Sequence, residues 1–161
     1  MRRIDALLAD YGSHHRTRGN VACHALGVTL IVFGVLSLLH AVPIAGPLTG
    51  SELLIAAGFT YYLTLDAPLA LPILGAAAIL DALAHAVGDW RIGAAAFAVG
   101  WGFQAVGHAV YEKNSPAFFR NLVHLMVGPA YLVNELLRLR PVAAPPHPDP
   151  LPHPREGGPT S

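Results

Sequence analysis

Charge is scarce in this chain. Asp, Glu, Lys and Arg make up 12% of its 161 residues, against roughly 25% in an ordinary soluble domain. The ten basic and ten acidic residues cancel, so net charge gives no sign of a nucleic-acid partner, and none is expected. Cysteine is nearly absent: the single Cys23 excludes an intrachain disulfide and a multi-cysteine zinc knuckle. In apolar surroundings its thiol stays protonated and inert, so it reads as a small packing residue in a helix. Also missing are an H-E-x-x-H zinc motif, a G-x-S-x-G nucleophile turn and any phosphate- or dinucleotide-binding glycine loop before a helix. Covalent catalysis is left without a candidate. The opening MRRIDALLADYGSHHR lacks the apolar stretch and small-residue cleavage site of a secretory signal and reads instead as an interfacial helix.

Hydrophobic residues, by contrast, make up 53% of the chain. Residues 19–51 and 92–111 hold no Asp, Glu, Lys or Arg, so each window supplies the roughly 20 apolar residues that cross a bilayer. The expected fold is all-α: a polytopic membrane helical bundle of about five transmembrane helices, with four as the alternative, an N-terminal interfacial helix and a disordered C-terminal tail. An amphipathic segment (1–11) and a loop (12–19) lead into a first span at 20–41. VPIAGPLTGSE then breaks the pattern with its prolines and glycines. The segments LLIAAGFTYYLTLD and LALPILGAAAILDALAHAV follow, then a span at 92–111, and NLVHLMVGPAYLVNELL closes the membrane-embedded domain at residue 140. Residues 141–161 hold eight of the fourteen prolines and are too poor in buriable surface to fold. With five spans and the amino end in the cytoplasm, Arg2, Arg3, Arg16, Arg18, Lys113 and Arg120 lie inside, and Arg91, Arg138, Arg140 and Arg155 outside.

The nine histidines are not evenly spread. In the five-span reading His15, His24, His108 and His124 fall at the cytoplasmic face, His40 and His85 near the opposite one, and His147 and His153 in the tail. Trp101, Gln104, His108 and Glu112 follow one another at helical intervals and share a face, as do Asn20 with His24, Asn121 with His124, and His124 with Gly128, Tyr131 and Glu135. His15 and His24 reach one ion only if the chain bends between them, and Gly19 offers that bend. A single histidine at membrane depth is more often a hydrogen-bonded packing residue than a ligand. Four converging are different: neutral imidazole suits iron, zinc, copper or nickel, and a thiolate-free site with open positions is compatible with non-haem Fe(II) chemistry. Glu112 and Glu135 are placed to accept imidazole N–H groups, and serve equally well as helix-end charges. Asp66 and Asp81 read as helix-end or interhelical polar groups.

Taken together, these residues resemble the 2-hydroxy fatty acid dioxygenases, a family of membrane enzymes of fatty-acid α-oxidation. The likeness covers most of residues 8–138. One block has Tyr11, His15, Asn20, His24 and Gly27; the other has Trp101, Gln104, Gly107, His108, Glu112, Lys113, Pro116, Ala117, Asn121 and Leu122. Thr29 departs from the pattern, where many relatives carry proline, and the tail has no counterpart. The resemblance implies an Fe(II)-dependent reaction in which a 2-hydroxy long-chain fatty acid and O2 give an acid one carbon shorter. It implies iron held by His15, His24 and His108, with His124 as a fourth ligand, and Asn20, Gln104, Glu112, Asn121 and Glu135 around them. The expected location is the inner or plasma membrane of a bacterium or the endoplasmic reticulum of a eukaryote, among membrane lipid. The alternatives are a noncatalytic lipid-binding or scaffold bundle and a membrane hydrolase with histidine-bound zinc.

Overall fold

The computed structural model describes residues 2–13, 17–112 and 123–140. Its elements are α1 (Arg3–Ser13), α2 (Arg18–His40), β1 (Pro43–Ala45), β2 (Leu48–Thr49), α3 (Gly50–Leu65), α4 (Ala67–Val87), α5 (Trp90–Val106), a π-helical turn (Gly107–Glu112) and α6 (Val123–Leu137). The helix starts are written in the sequence. Thr17 accepts a bond from the Asn20 N–H to open α2. Thr49 and Glu52 form a reciprocal capping box on α3. Asp66 caps α4 ahead of Pro68, and Asp89 caps α5. Between α2 and α3 the chain makes a small antiparallel hairpin that turns at Gly46, whose φ of 54° favours glycine.

Helices α2 to α5 run alternately up and down. Helix α2 packs most intimately on α5, and glycine permits it. Gly27 and Gly34 on α2 face Gly100 and Gly93 on α5, while Asn20 faces Gly107, a repeat of seven residues on both helices. A Cβ on Gly34 would lie 2.6 Å from the Gly93 carbonyl oxygen, and one on Gly100 would lie 2.8 Å from that of Gly27. Small residues let the two backbones approach this closely, and the sevenfold period keeps the seam facing its partner. Cys23 packs into this seam beside Gly107.

Helices α1 and α6 close one end of this bundle, where α3 passes into α4. Ile4, Leu8 and Tyr11 of α1, Val127 and Ala130 of α6, and Tyr62, Leu69, Ala70 and Ile73 form the main hydrophobic core. Tyr62 donates to the Met126 carbonyl at 2.6 Å, and Asp66, its side chain 2% exposed, pairs with both Arg2 and Arg140. Five crossings would put Arg140 at the far end from Arg2; instead the two share one carboxylate. The start and the end of α6 are thus both fastened near the α3–α4 junction.

Among the described residues, two helices, Arg18–His40 and Ala67–Val87, are long and apolar enough to cross a membrane. Only 28% and 22% of their most apolar windows are buried, whereas the core helix of a soluble protein is mostly covered. Leu71, Ile79, Leu83, Leu53, Leu63 and Val99 face outward, an apolar surface of the kind that marks contact with lipid or a partner. The residues expected to form the tail, 141–161, lie outside the described residues.

Candidate functional site

The α2–α5 seam delivers two histidines to one point. His24 lies one turn beyond Asn20 on α2, and His108 directly follows Gly107, so the approach of Asn20 to Gly107 aligns them. Their Nε2 atoms are 2.9 Å apart, with ring planes at 89°. His108 is 3% exposed and sits in the π-helical turn. Such a turn re-aims side chains and is frequent at functional sites; here Gln104 and His108, expected on one face of a regular helix, are both buried across the change of helix type.

Tyr11 completes the arrangement from α1. Its hydroxyl lies 3.0 Å from His24 Nδ1, and its ring packs against Tyr131 of α6 at 5.0 Å between centroids. Gly128 leaves the space for it, since a Cβ there would stand 3.2 Å from the Tyr11 hydroxyl. Burial raises the pKa of Tyr11, with Tyr131 adding to the shift, so the group is a neutral phenol that both donates and accepts. If His24 Nδ1–H donates to the phenolic oxygen, a lone pair remains at Nε2. Two lone pairs at 2.9 Å require a proton or a cation between them. Ligand atoms bonded side by side to one ion at about 2.1 Å lie about 3 Å apart, so the pair fits either.

Asn20 is fully buried and Gln104 is 6% exposed beside them. The Gln104 side-chain nitrogen finds no hydrogen-bond partner among the described residues. Glu135 is exposed at the rim of a small cavity that also touches Tyr11, His24 and Tyr131. His15 and Asn121, and the side chains of Glu112 and His124, lie outside the described residues. Asp66 caps α4 and pairs with two arginines, away from the histidines, and Asp81 lies with His85 at the other end of the bundle.

One turn along α2 from His24, an apolar cavity of about 240 Å³ begins at Val28 and lies between α2, α3, α4 and α6. Its walls include Val32, Leu36, Phe59, Tyr62 and Leu80, and Val28 and Leu132 also border the small cavity at His24. Sequence reasoning named neither this cavity nor the Tyr11 contact as part of the site. Tyr11 belonged to the motif, but only the packing of α1 on α6 reveals its reach to His24.

Sequence reasoning also missed a second cluster. One nitrogen each from His40 and His85 and one oxygen of Glu52 lie within 4.8 Å of one another. The signal was there: in an up-and-down bundle the end of α2, the start of α3 and the end of α4 share one face.

The chain matches the model of a family described as "2-hydroxy-palmitic acid dioxygenase Mpo1-like" over residues 1–139. It is 32% identical over 137 residues to the 2-hydroxy-palmitic acid dioxygenase MPO1 of Saccharomyces cerevisiae, covering 81% of this chain and 77% of that protein. No solved structure matches it. The motif residues Tyr11, Asn20, His24, Gly27, Gln104, Gly107 and His108 meet where α2 crosses the π-helical end of α5, and with the match along 1–139 the chain belongs to the Mpo1-like family.

Proposed function

We propose that the protein is an Fe(II)-dependent dioxygenase that converts 2-hydroxy fatty acids and O2 to fatty acids one carbon shorter, the carboxyl carbon leaving as CO2 with one water. The observation that carries this reading is the 2.9 Å approach of the His24 and His108 Nε2 atoms, one helical turn from an apolar cavity, in a chain of this family. His24 and His108 are the proposed ligands, joined by His15 and His124. The donor set is imidazole without thiolate, which suits a non-haem iron that keeps positions free. Bound there, the ion would supply oxygen activation and a Lewis acid for the substrate's carboxylate and 2-hydroxyl.

The chain's own residues do the rest. Tyr11 orients the His24 ring through Nδ1, as outer partners of metal-bound histidines do. The 6%-exposed Gln104 and the fully buried Asn20 hold water away from the pair. The acyl chain follows the wall shared by Val28 and Leu132 into the apolar cavity, where each methylene taken from water contributes about 0.8 kcal/mol.

Membrane integration fits the substrate, because a long-chain acid partitions into the bilayer first. Arg2, Arg3, Arg18, Arg138 and Arg140 belong to the end that carries His24, and Arg91 to the other; under the positive-inside rule this bias supports a cytoplasmic face for the histidine pair. Residues 1–140 are the working domain. The test is iron content and turnover of 2-hydroxypalmitate in air and under nitrogen. Wild type should hold iron and react only in air; a metal-free protein with full turnover would overturn the reading.

A further inference from the structure

We propose that the end of the bundle opposite His24 and His108 carries a second metal site, built by His40, Glu52 and His85, for a divalent first-row transition ion. It does not rest on the dioxygenase reading. His24 and His40 are sixteen positions apart on α2, about 24 Å at 1.5 Å per residue, so the clusters cannot share an ion.

Each member is already oriented. His85 Nδ1 lies 3.0 Å from the Asp81 carbonyl oxygen, and an N–H must occupy that position because a carbonyl only accepts. In the neutral ring Nε2 then bears a lone pair, and it points at Glu52 Oε1 across 3.6 Å. The other carboxylate oxygen of Glu52, Oε2, is committed to the helix cap, accepting from the Thr49 N–H at 2.9 Å and from the Thr49 hydroxyl. Oε1 is therefore the atom turned toward the histidines. His40 Nδ1 is buried with no hydrogen-bond partner among the described residues, and its ring stands 3.6 Å from that of His85 between centroids.

Lone pairs from an imidazole and a carboxylate that face each other need a cation or a proton between them. Two carboxylates are involved, since Asp81 Oδ2 lies 3.6 Å from His85 Nδ1 and its Oδ1 is buried without a partner. A divalent ion neutralises both, and the Asp81–His85 contact is the kind that raises a ligand's basicity. The three donor atoms need close only from 4.8 Å to the roughly 3 to 3.5 Å expected around an ion with bonds near 2.1 Å. The His85 side chain is 41% exposed, which leaves room for that small adjustment. Two imidazoles and one carboxylate suit zinc or Fe(II) and leave positions open. The open groove lined by Glu52, Ala56, Phe59, Ala78, Asp81 and His85 gives an ion access from outside.

The experiment is Zn2+ uptake by the full-length protein, stripped with chelator, re-equilibrated in detergent and counted per chain, with Co2+ absorption as a check on coordination. Glu52→Gln keeps a capping-box side chain, and His85→Ala alters a partly exposed ring, so both should fold; circular dichroism verifies it. Each should bind one Zn2+ fewer than wild type, while His24→Gln/His108→Gln should keep that ion. Asp81→Asn should weaken this binding by about 10-fold. Undiminished uptake in Glu52→Gln and His85→Ala, or loss of all uptake in the His24→Gln/His108→Gln variant, would overturn the proposal and show the cluster to be held by a proton. Failure of the dioxygenase reading registers separately, as absent turnover of 2-hydroxypalmitate by iron-loaded wild type.

Discussion

His24 and His108 stand 84 residues apart in the chain, yet their Nε2 atoms are 2.9 Å apart. No local feature brings them together. The contact is made by two helices whose glycines oppose one another every seven residues, so the site's geometry depends on the seam that runs away from it along the bundle.

That dependence is measurable. Gly100→Ala would push a methyl group to 2.8 Å from both the Gly27 carbonyl oxygen and Ile31 Cγ1, and overpacking of this kind costs about 1–3 kcal/mol. Denaturant unfolding in detergent should show the loss, accompanied by weaker metal retention as the histidines separate. Gly102→Ala, with nothing within 4 Å, should instead stabilise the same helix by about 0.4–1 kcal/mol. Equal effects of the two would contradict the seam.

Tyr11→Phe keeps the ring against Tyr131 and removes only the hydroxyl 3.0 Å from His24 Nδ1. Iron affinity should fall by about 10-fold with stability nearly unchanged. A fall in stability without a fall in affinity would make Tyr11 a packing residue alone.

Asp66 fastens three elements at once. It accepts from the Leu69 N–H at 3.1 Å and pairs with Arg2 and Arg140. Asp66→Asn leaves an oxygen for the cap and loses the ion pairs, whereas Asp66→Ala loses both. The alanine variant should therefore be less stable than the asparagine variant by about 0.5–2 kcal/mol, and both should expose α1 to protease sooner than wild type.

Much of this architecture is legible in the sequence. Thr17, Thr49, Asp66 and Asp89 stand at helix starts, and the helices lie within a few residues of the apolar segments. The course of α6 was not legible, because NLVHLMVGPAYLVNELL is as apolar as its neighbours and hydropathy does not say whether a helix crosses or lies across. Its direction is set by the Tyr62 hydroxyl reaching the Met126 carbonyl and by Asp66 reaching Arg140, contacts between residues more than sixty positions apart. At the site, His24 and His108 could be picked from helical spacing and motif. Tyr11 could not be joined to His24 before the packing of α1 was known, and the His40, Glu52 and His85 cluster was passed over because each residue alone looks like a helix end.

The carboxyl-terminal boundary makes a sharp prediction. The Arg140 N–H donates to Asn134 Oδ1 at 2.8 Å and the Arg140 carbonyl accepts from Asn134 Nδ2 at 3.1 Å, and Asn134 is 1% exposed. A chain ending after Arg140 should insert, fold and turn over like the full-length protein. One ending after Leu137 strands a buried amide, at a cost of about 1–3 kcal/mol, and removes a partner of Asp66. Equal stability of the two truncations would place the boundary elsewhere.

The most direct measurement is product formation from 2-hydroxypalmitate by purified protein with Fe(II), in air and under nitrogen, for wild type and His108→Gln. An amide replaces the hydrogen bonds of an imidazole far better than it replaces a nitrogen ligand. Wild type should form the acid one carbon shorter in air only, and His108→Gln should be folded, depleted of iron and inactive. Full turnover and full iron in His108→Gln would contradict the account, and leave the 2.9 Å contact a hydrogen bond that merely joins two helices.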